Sequence, residues 1–242
     1  MTDLPARLGA LTPARVRLDP RGGPTPLPAV LDFQESHARA RAAIHGRVDW
    51  TAVETALGAP GLRLHSRAAT RAEYLRRPDF GRLLAPEAEE AIPHTPCDLA
   101  IVIADGLSAS AVNTHAAALC RGLMAALPDL RLGPVALVEQ GRVAIGDEVA
   151  FRMGAAFCVM LIGERPGLSV SDSLGAYLTL NPRPGTPDSL RNCVSNIHGR
   201  GGLSIEAAVS KIAWLIREGR RIRATGVRLK DDSPDPLPSL SR

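Results

Sequence analysis

Aromatic side chains make up only 3% of this 242-residue chain, and lysine is nearly absent, since Lys211 and Lys230 are the only two. The first shortage excludes a core built on stacked rings and points to layers of Leu, Val, Ile and Ala, as in α/β proteins. The second leaves the formal net charge of +4 to be carried almost wholly by arginine. Arginine's planar fork suits phosphates, carboxylates and protein interfaces. The basic stretch Arg220, Arg221, Arg223, Arg228 and Lys230 has no interleaved aromatics for base stacking, so nucleic acid is not an expected partner. The four cysteines, Cys97, Cys120, Cys158 and Cys193, include no C-x-x-C pair, so neither a zinc site nor a disulfide framework is indicated. No signal-peptide layout opens the chain and no apolar run nears the roughly 18 residues of a membrane span, so a cytoplasmic protein without a membrane partner is expected.

What is present falls into four stretches. Residues 1–30 hold six prolines among arginine and glycine and read as an N-terminal arm. Residues 31–96 read as a helical subdomain: Asp32 to His45 with Gly46 as its stop, Asp49 to Gly58, Thr70 to Arg77, and Pro86 to Ile92. Residues 97–225 carry strand–turn–helix patterning. Leu99 to Ala104 is a continuous apolar strand, followed by Asp105-Gly106-Leu107-Ser108 and a helix to Leu127. Strands follow at Pro134 to Glu139, with an extension over Arg142 to Ile145, at Ala156 to Ile162 and at Leu174 to Leu180. Helices are expected over Asp147 to Met153 and, capped by Ser204, from Ile205 to about Arg223; residues 226–242 read as a disordered tail.

Two stretches carry the polar chemistry. The apolar run from Cys158 breaks at Gly163 into Glu164, Arg165, Pro166 and Gly167, which places an acid and a base at the carboxyl end of a buried strand, where open α/β sheets hold ligands. Arg191 to His198 packs a thiol and several polar groups into eight residues with little periodicity. Each admits a plain reading beside a functional one. Asp105 to Ser108 either presents amides to an anion or is a helix cap. Glu164 and Arg165 either pair at the surface or meet a ligand. Cys193 near His198 lacks an orienting third group, which favours a packed or ligand-lining thiol over a nucleophile. His37, His45 and His115 read as structural imidazoles on helices, and Gly199, Gly201 and Gly202 as a turn or a close backbone approach.

Taken together, the Asp-Gly-Leu-Ser turn, Gly141-Arg142-Val143, Gly163 to Leu168, Ser173-Leu174 before Ala176-Tyr177, and Cys193 to His198 followed by glycines strongly resemble the small subunit of ethanolamine ammonia-lyase, over about residues 31–225 and including Phe33, His37, Ala38 and Arg39. The resemblance implies an α/β, Rossmann-like sheet domain (residues 97–225) preceded by the helical subdomain. It also implies a hetero-oligomer with a large barrel subunit that holds the substrate, ethanolamine, for conversion to acetaldehyde and ammonia. The implied cofactor is adenosylcobalamin, bound between the subunits with its own base on cobalt, as the absence of D-x-H-x-x-G accords with. The residues that match the family's cobalamin contacts are Val143, Glu164 and Cys193; no catalytic residue and no metal ligand is expected in this chain. Packaging in a bacterial microcompartment would follow from the family, and not from the residues. The chain departs from longer members in a shorter N-terminal region and in the arginine of Gly199-Arg200-Gly201-Gly202. The competing reading is a stand-alone Rossmann-like nucleotide-binding module without catalytic activity.

Overall fold

A computed structural model describes Arg7, Leu8 and residues 25–234. The arm expected over residues 1–30 lies mostly outside the described residues. Its last part does not: helix α1, Leu27–His45, starts with Pro28 in its first turn, where a missing N–H costs nothing, so Asp32 sits inside the helix and does not cap it. Helix α2, Trp50–Leu57, is capped as expected, with Asp49 accepting from the Ala52 amide and Gly58 in the left-handed conformation at its end.

The next segment corrects the expectation of a purely helical region. Leu62–His65 forms strand β1, which pairs in parallel with β3 (Ala136–Glu139), so residues before 97 contribute an edge to the sheet. Short helices α3 (Arg71–Arg76, capped by Thr70) and α4 (Pro86–Glu90) follow. Strand β2, Cys97–Ala104, is buried along almost its whole length. Helix α5 spans residues 109–126, with Ser108 as its cap and a π-turn over Val112–Ala116.

Residues 142–145, expected to extend a strand, instead open helix α6, Val143–Met153; the β-branched pair had suggested a strand, but the apolar positions Ile145, Val149 and Met153 recur at helical spacing and face the sheet. Strands β4 (Ala155–Gly163) and β5 (Leu174–Leu180) follow. The polar stretch after Arg191 is strand β6, Asn192–Ile197, and helix α7, Ile205–Ile222, begins at the Ser204 cap. The chain does not turn to tail at 226: Gly226–Arg228 forms a 3-10 turn, and Leu229 is 4% exposed with its carbonyl accepting from Asn192.

The architecture is mixed α/β. One six-stranded sheet has the order β1-β3-β2-β4-β5-β6; the first four strands pair in parallel, and β5 alone runs the other way, pairing antiparallel with β4 and with β6. Leu99, Ile101, Ile103 and Val159 face α5 and α7, whereas Ala100, Val102, Met160 and Ile162 face α6. Burial on both faces explains why β2 and β4 read as unbroken apolar runs and not as alternating ones. Since β2 leads to β3 on one side and β3 to β4 on the other, a crevice opens at the carboxyl ends of these strands.

Two glycines bring those ends together. Gly106 has a φ of +56°, and a Cβ there would lie 2.2 Å from the Gly163 carbonyl oxygen, which accepts from the Leu107 amide at 2.9 Å. Gly58 shares the left-handed φ, at +78°, but has open space around it. Gly58→Ala should therefore cost only the left-handed penalty, about 1–2 kcal/mol, and Gly106→Ala clearly more, roughly 3 kcal/mol or above, because backbone must shift as well. Urea unfolding of both variants measures this, and equal losses would contradict the close-approach account.

Candidate functional site

The crevice is built from three directions. Along its base Asp105, at the end of β2, is buried and accepts from the Gly141 amide at 3.1 Å and from Arg71 Nη1 at 3.2 Å. Burial pushes its carboxyl up to about 6, against the opposing pull of Arg71 and of the Gln140, Gly141 and Gly106 amides. Arg71 also donates to the carbonyls of Ile44 and Gly106. It stacks on Tyr74, 4.7 Å from the ring centre, and Arg142 stacks on the same ring at 4.3 Å. The Tyr74 hydroxyl donates to the Gly141 carbonyl at 3.1 Å. The segment that leads into α6 is thereby fixed from below.

The turn Asp105 to Ser108 thus takes the plain reading. Its Leu107 amide is spent on Gly163, Ser108 Oγ accepts from the Ala111 amide, and Asp105 is turned inward.

Glu164 stands at the carboxyl end of β4, half-buried. It does not pair with Arg165 among the described residues. Its Oε2 accepts from Ser173 Oγ and, at 3.1 Å, from the Asn196 amide. Its Oε1 lies where a Cβ on Gly175 would come within 3.0 Å, so the absence of a side chain there makes the room. One carboxylate oxygen is anchored, and the other has no protein donor among the described residues.

Cys193 is opposite Tyr177 in the β5–β6 register, and both line the same concavity. Although its own surface is exposed, the thiol stands in a concavity, and the resulting desolvation pushes it above the ordinary thiol range; the Tyr177 hydroxyl pulls the other way. His198 does not reach it. Its Nδ1 accepts from the Arg200 amide at 3.1 Å, which leaves Nε2–H to donate to Asn196 Oδ1 at 2.8 Å. A Cβ on Gly202 would strike that ring at 2.5 Å, so the glycines after His198 serve a close approach.

Val143 joins these residues. A cavity of about 380 Å³ is lined by Arg82, Arg142, Val143, Tyr177, Arg191 and Cys193, among others. An adjoining one of about 240 Å³ is lined by Tyr74, Leu107, Arg142, Val143, Glu164 and Tyr177, among others. The shared residues Arg142, Val143 and Tyr177 make one cleft of the two, with Cys193 at one end and Glu164 at the other. All three expected contact residues therefore line a single cleft. The far wall is tied down by Arg191, whose Nε donates to Asp147 of α6 at 2.9 Å, both side chains being 3% exposed. Burial raises the Asp147 carboxyl while the Arg191 guanidinium opposes it. Arg71 and Tyr74 were not singled out as site residues, because the crevice groups that hold them, Asp105, Gln140 and Gly141, lie 34 to 69 positions away and leave no local pattern; Arg191 was noted only as the start of the polar stretch, its partner Asp147 lying 44 positions away.

Among the described residues no group of three or more His, Cys, Asp or Glu is placed to hold a metal ion, and no helix is long and apolar enough to cross a membrane. The arrangement offers one oriented carboxylate acceptor, an apolar patch at Val143, arginine forks and a protonated thiol. That set can bind and orient a large polar ligand; it contains no activated nucleophile.

Comparison with known proteins gives the same part of the chain a lineage. The family described as "Ethanolamine ammonia-lyase light chain (EutC)" matches residues 2–230. The chain is similar to the ethanolamine ammonia-lyase small subunit of Bradyrhizobium diazoefficiens, 52% identical over 240 residues, covering 96% of this chain and 92% of the relative. It is 48% identical to the protein of that name from Xanthomonas campestris pv. campestris over 243 residues (96% and 89%), and 47% identical to that of Azotobacter vinelandii over 238 residues (94% and 88%).

The burial pattern also sets thiol reactivity. Cys97, Cys120 and Cys158 are buried and Cys193 is exposed. In the folded chain iodoacetamide should modify Cys193 alone, at a rate that still rises above pH 9 because the reactive thiolate forms late. Mass mapping of the alkylated peptides checks this. Equal labelling of the other three, or a rate already at its plateau near pH 7, would contradict the described environment.

Proposed function

The chain belongs to the ethanolamine ammonia-lyase light-chain family, and from that premise we propose that the cleft is this subunit's share of a cobalamin site completed by the large subunit. The supporting observation is the convergence of Val143, Glu164 and Cys193 on one cleft. Cavities of about 380 and 240 Å³ are too small to enclose a corrin with its nucleotide loop, so this chain supplies one wall and the partner the other. In this reading the carboxyl-end crevice of the sheet serves as a Rossmann-like binding edge.

The residues fit the group. Cobalamin carries primary amides around an apolar macrocycle, so it needs hydrogen-bond acceptors at its rim and an apolar contact on its face. Glu164 offers Oε1 as such an acceptor while Ser173 and Asn196 hold Oε2. Val143, half-buried in the first turn of α6, offers the apolar contact. Cys193 lines the cleft as a neutral thiol, since desolvation holds its proton on. When bound, adenosylcobalamin supplies radical chemistry at its cobalt–carbon bond, which no side chain of this subunit can provide. The chain's own part is to bind, to orient and to exclude water. Ethanolamine, the base-on state of the cofactor, and acetaldehyde and ammonia as products belong to this reading, with the substrate held on the large subunit.

A stand-alone nucleotide-binding module is the weaker reading, because the cleft is open and only part of its polar rim is satisfied by the chain itself. In the assembled two-subunit complex, Glu164→Gln should weaken cobalamin binding about 10-fold or more, the loss of a charge-assisted hydrogen bond of roughly 1.5–3 kcal/mol. The subunits should still co-elute, because Gln can keep the Ser173 contact. Equilibrium dialysis with gel filtration reads both; unchanged cobalamin affinity, or turnover of ethanolamine by this chain alone, would overturn the proposal.

A further inference from the structure

The cleft carries positive charge that the protein does not balance. Arg191 is neutralised by Asp147 and Asp188, but neither Arg142 nor Arg82 pairs with a carboxylate among the described residues. Arg142 is nevertheless held in place. Its backbone amide donates to the Gly81 carbonyl at 2.7 Å, and its guanidinium lies on the Tyr74 ring. Its stem passes so close to Gly81 that a Cβ there would come within 2.8 Å of Arg142 Cγ. Arg142 Nε is buried with no acceptor, and Nη2 has only a long contact of 3.4 Å to the Tyr74 carbonyl. A buried guanidinium donor left unused is costly unless a ligand supplies the acceptor.

The backbone beside it is in the same condition. Arg142 stands at the N-cap position of α6 and makes no side-chain cap, and the first turn of the helix holds no acidic residue. The amides of Val143 and Ala144 find no acceptor among the described residues, and both residues line the same cavity as Arg82 and Arg142. Two unpaired guanidinium forks and an uncapped helix N-terminus facing one cavity make a receptor for an oxyanion.

We propose that Arg142, assisted by Arg82 and the open amides of α6, binds the phosphodiester of the cofactor's nucleotide loop; this rests on the reading of the cleft as a cobalamin site. The division of labour then follows the cleft's geometry. The middle of the cleft, at Arg142 and the start of α6 with Arg82 beside them, takes the anionic linkage, and Glu164 at one end takes neutral amide donors.

The test compares two cofactor forms on the assembled complex. Adenosylcobalamin contains the phosphodiester, and adenosylcobinamide lacks it together with the ribose and base. Equilibrium dialysis should show Arg142→Gln weakening adenosylcobalamin about 10- to 100-fold, the range of a lost charge-assisted pair, with adenosylcobinamide affinity unchanged. Arg82→Gln should act in the same selective direction by about 3-fold, since an exposed fork contributes less. Arg82 is exposed at the end of the short 3-10 turn Phe80–Arg82, so it carries the test if the Arg142 variant fails to assemble. Equal weakening of both cofactor forms, or no change in either variant, overturns the phosphodiester assignment. Glu164→Gln separates the two claims: if it loses cobalamin affinity where the arginine variants do not, only the phosphodiester assignment falls, and if none of the three loses affinity, the cobalamin reading falls as well.

Discussion

The carboxylate of Asp105 is the point on which the cleft is hung. It closes the end of β2, reaches across to the Gly141 amide at the exit of β3, and meets the Arg71 guanidinium from α3. Burial works against its charge, so the contact fixes position more than it adds net stability; removing one partner would still leave a buried charge uncompensated, at about 3–5 kcal/mol. Because Gly141 is held there, Arg142 and Val143 follow at a set place. Because Gly106, the next residue after Asp105, lets the Gly163 carbonyl approach, Glu164 follows at another. Sheet topology puts these strand ends side by side, and two glycines and one acid turn that adjacency into a defined opening.

The opening has an uneven character that suits a half-site. At one end Glu164 is pre-oriented through Ser173 and Asn196, the middle holds Val143, Tyr177 and Arg142, and the other end carries Arg82 and Cys193 with the Asp147–Arg191 pair as its buttress. None of these groups is activated for proton transfer or attack: the thiol is held protonated, and His198 is committed to Arg200 and Asn196. Binding and orientation are what such a surface can contribute; under the proposed function the chemistry is left to the cofactor and the larger partner.

Much of the scaffold was legible because burial on both sheet faces writes itself into sequence as continuous apolar runs. Leu99 to Ala104 and Ala156 to Ile162 fall within β2 and β4 for that reason, and Ser204 marks the start of α7 through its cap. The edges were not legible. Leu62–His65 is four residues long with charged and apolar side chains intermixed, and Asn192–Ile197 is polar on its exposed side, so neither carries a strand's signature without its neighbour. The start of α6 misled because Val143 and Ile145 are β-branched, while the burial that decides the matter comes from the sheet. For the site, Val143, Glu164 and Cys193 were proposed through family motifs, and what the structure adds is that they line one cleft. Arg71 and Tyr74 were invisible because their roles are contacts made across the fold.

The central claim is that a cobalamin lies across Cys193 and Glu164 when the two subunits meet, and the most direct measurement is protection of the Cys193 thiol. In the assembled complex, cobalamin at about ten times its Kd should slow alkylation of Cys193 about 10-fold relative to the complex alone, with the protection falling to about 2-fold or less on a Glu164→Gln background at the same cobalamin concentration. Alkylation of Cys193 at an undiminished rate in the cobalamin-saturated complex would show that the cofactor is held elsewhere and would contradict the account.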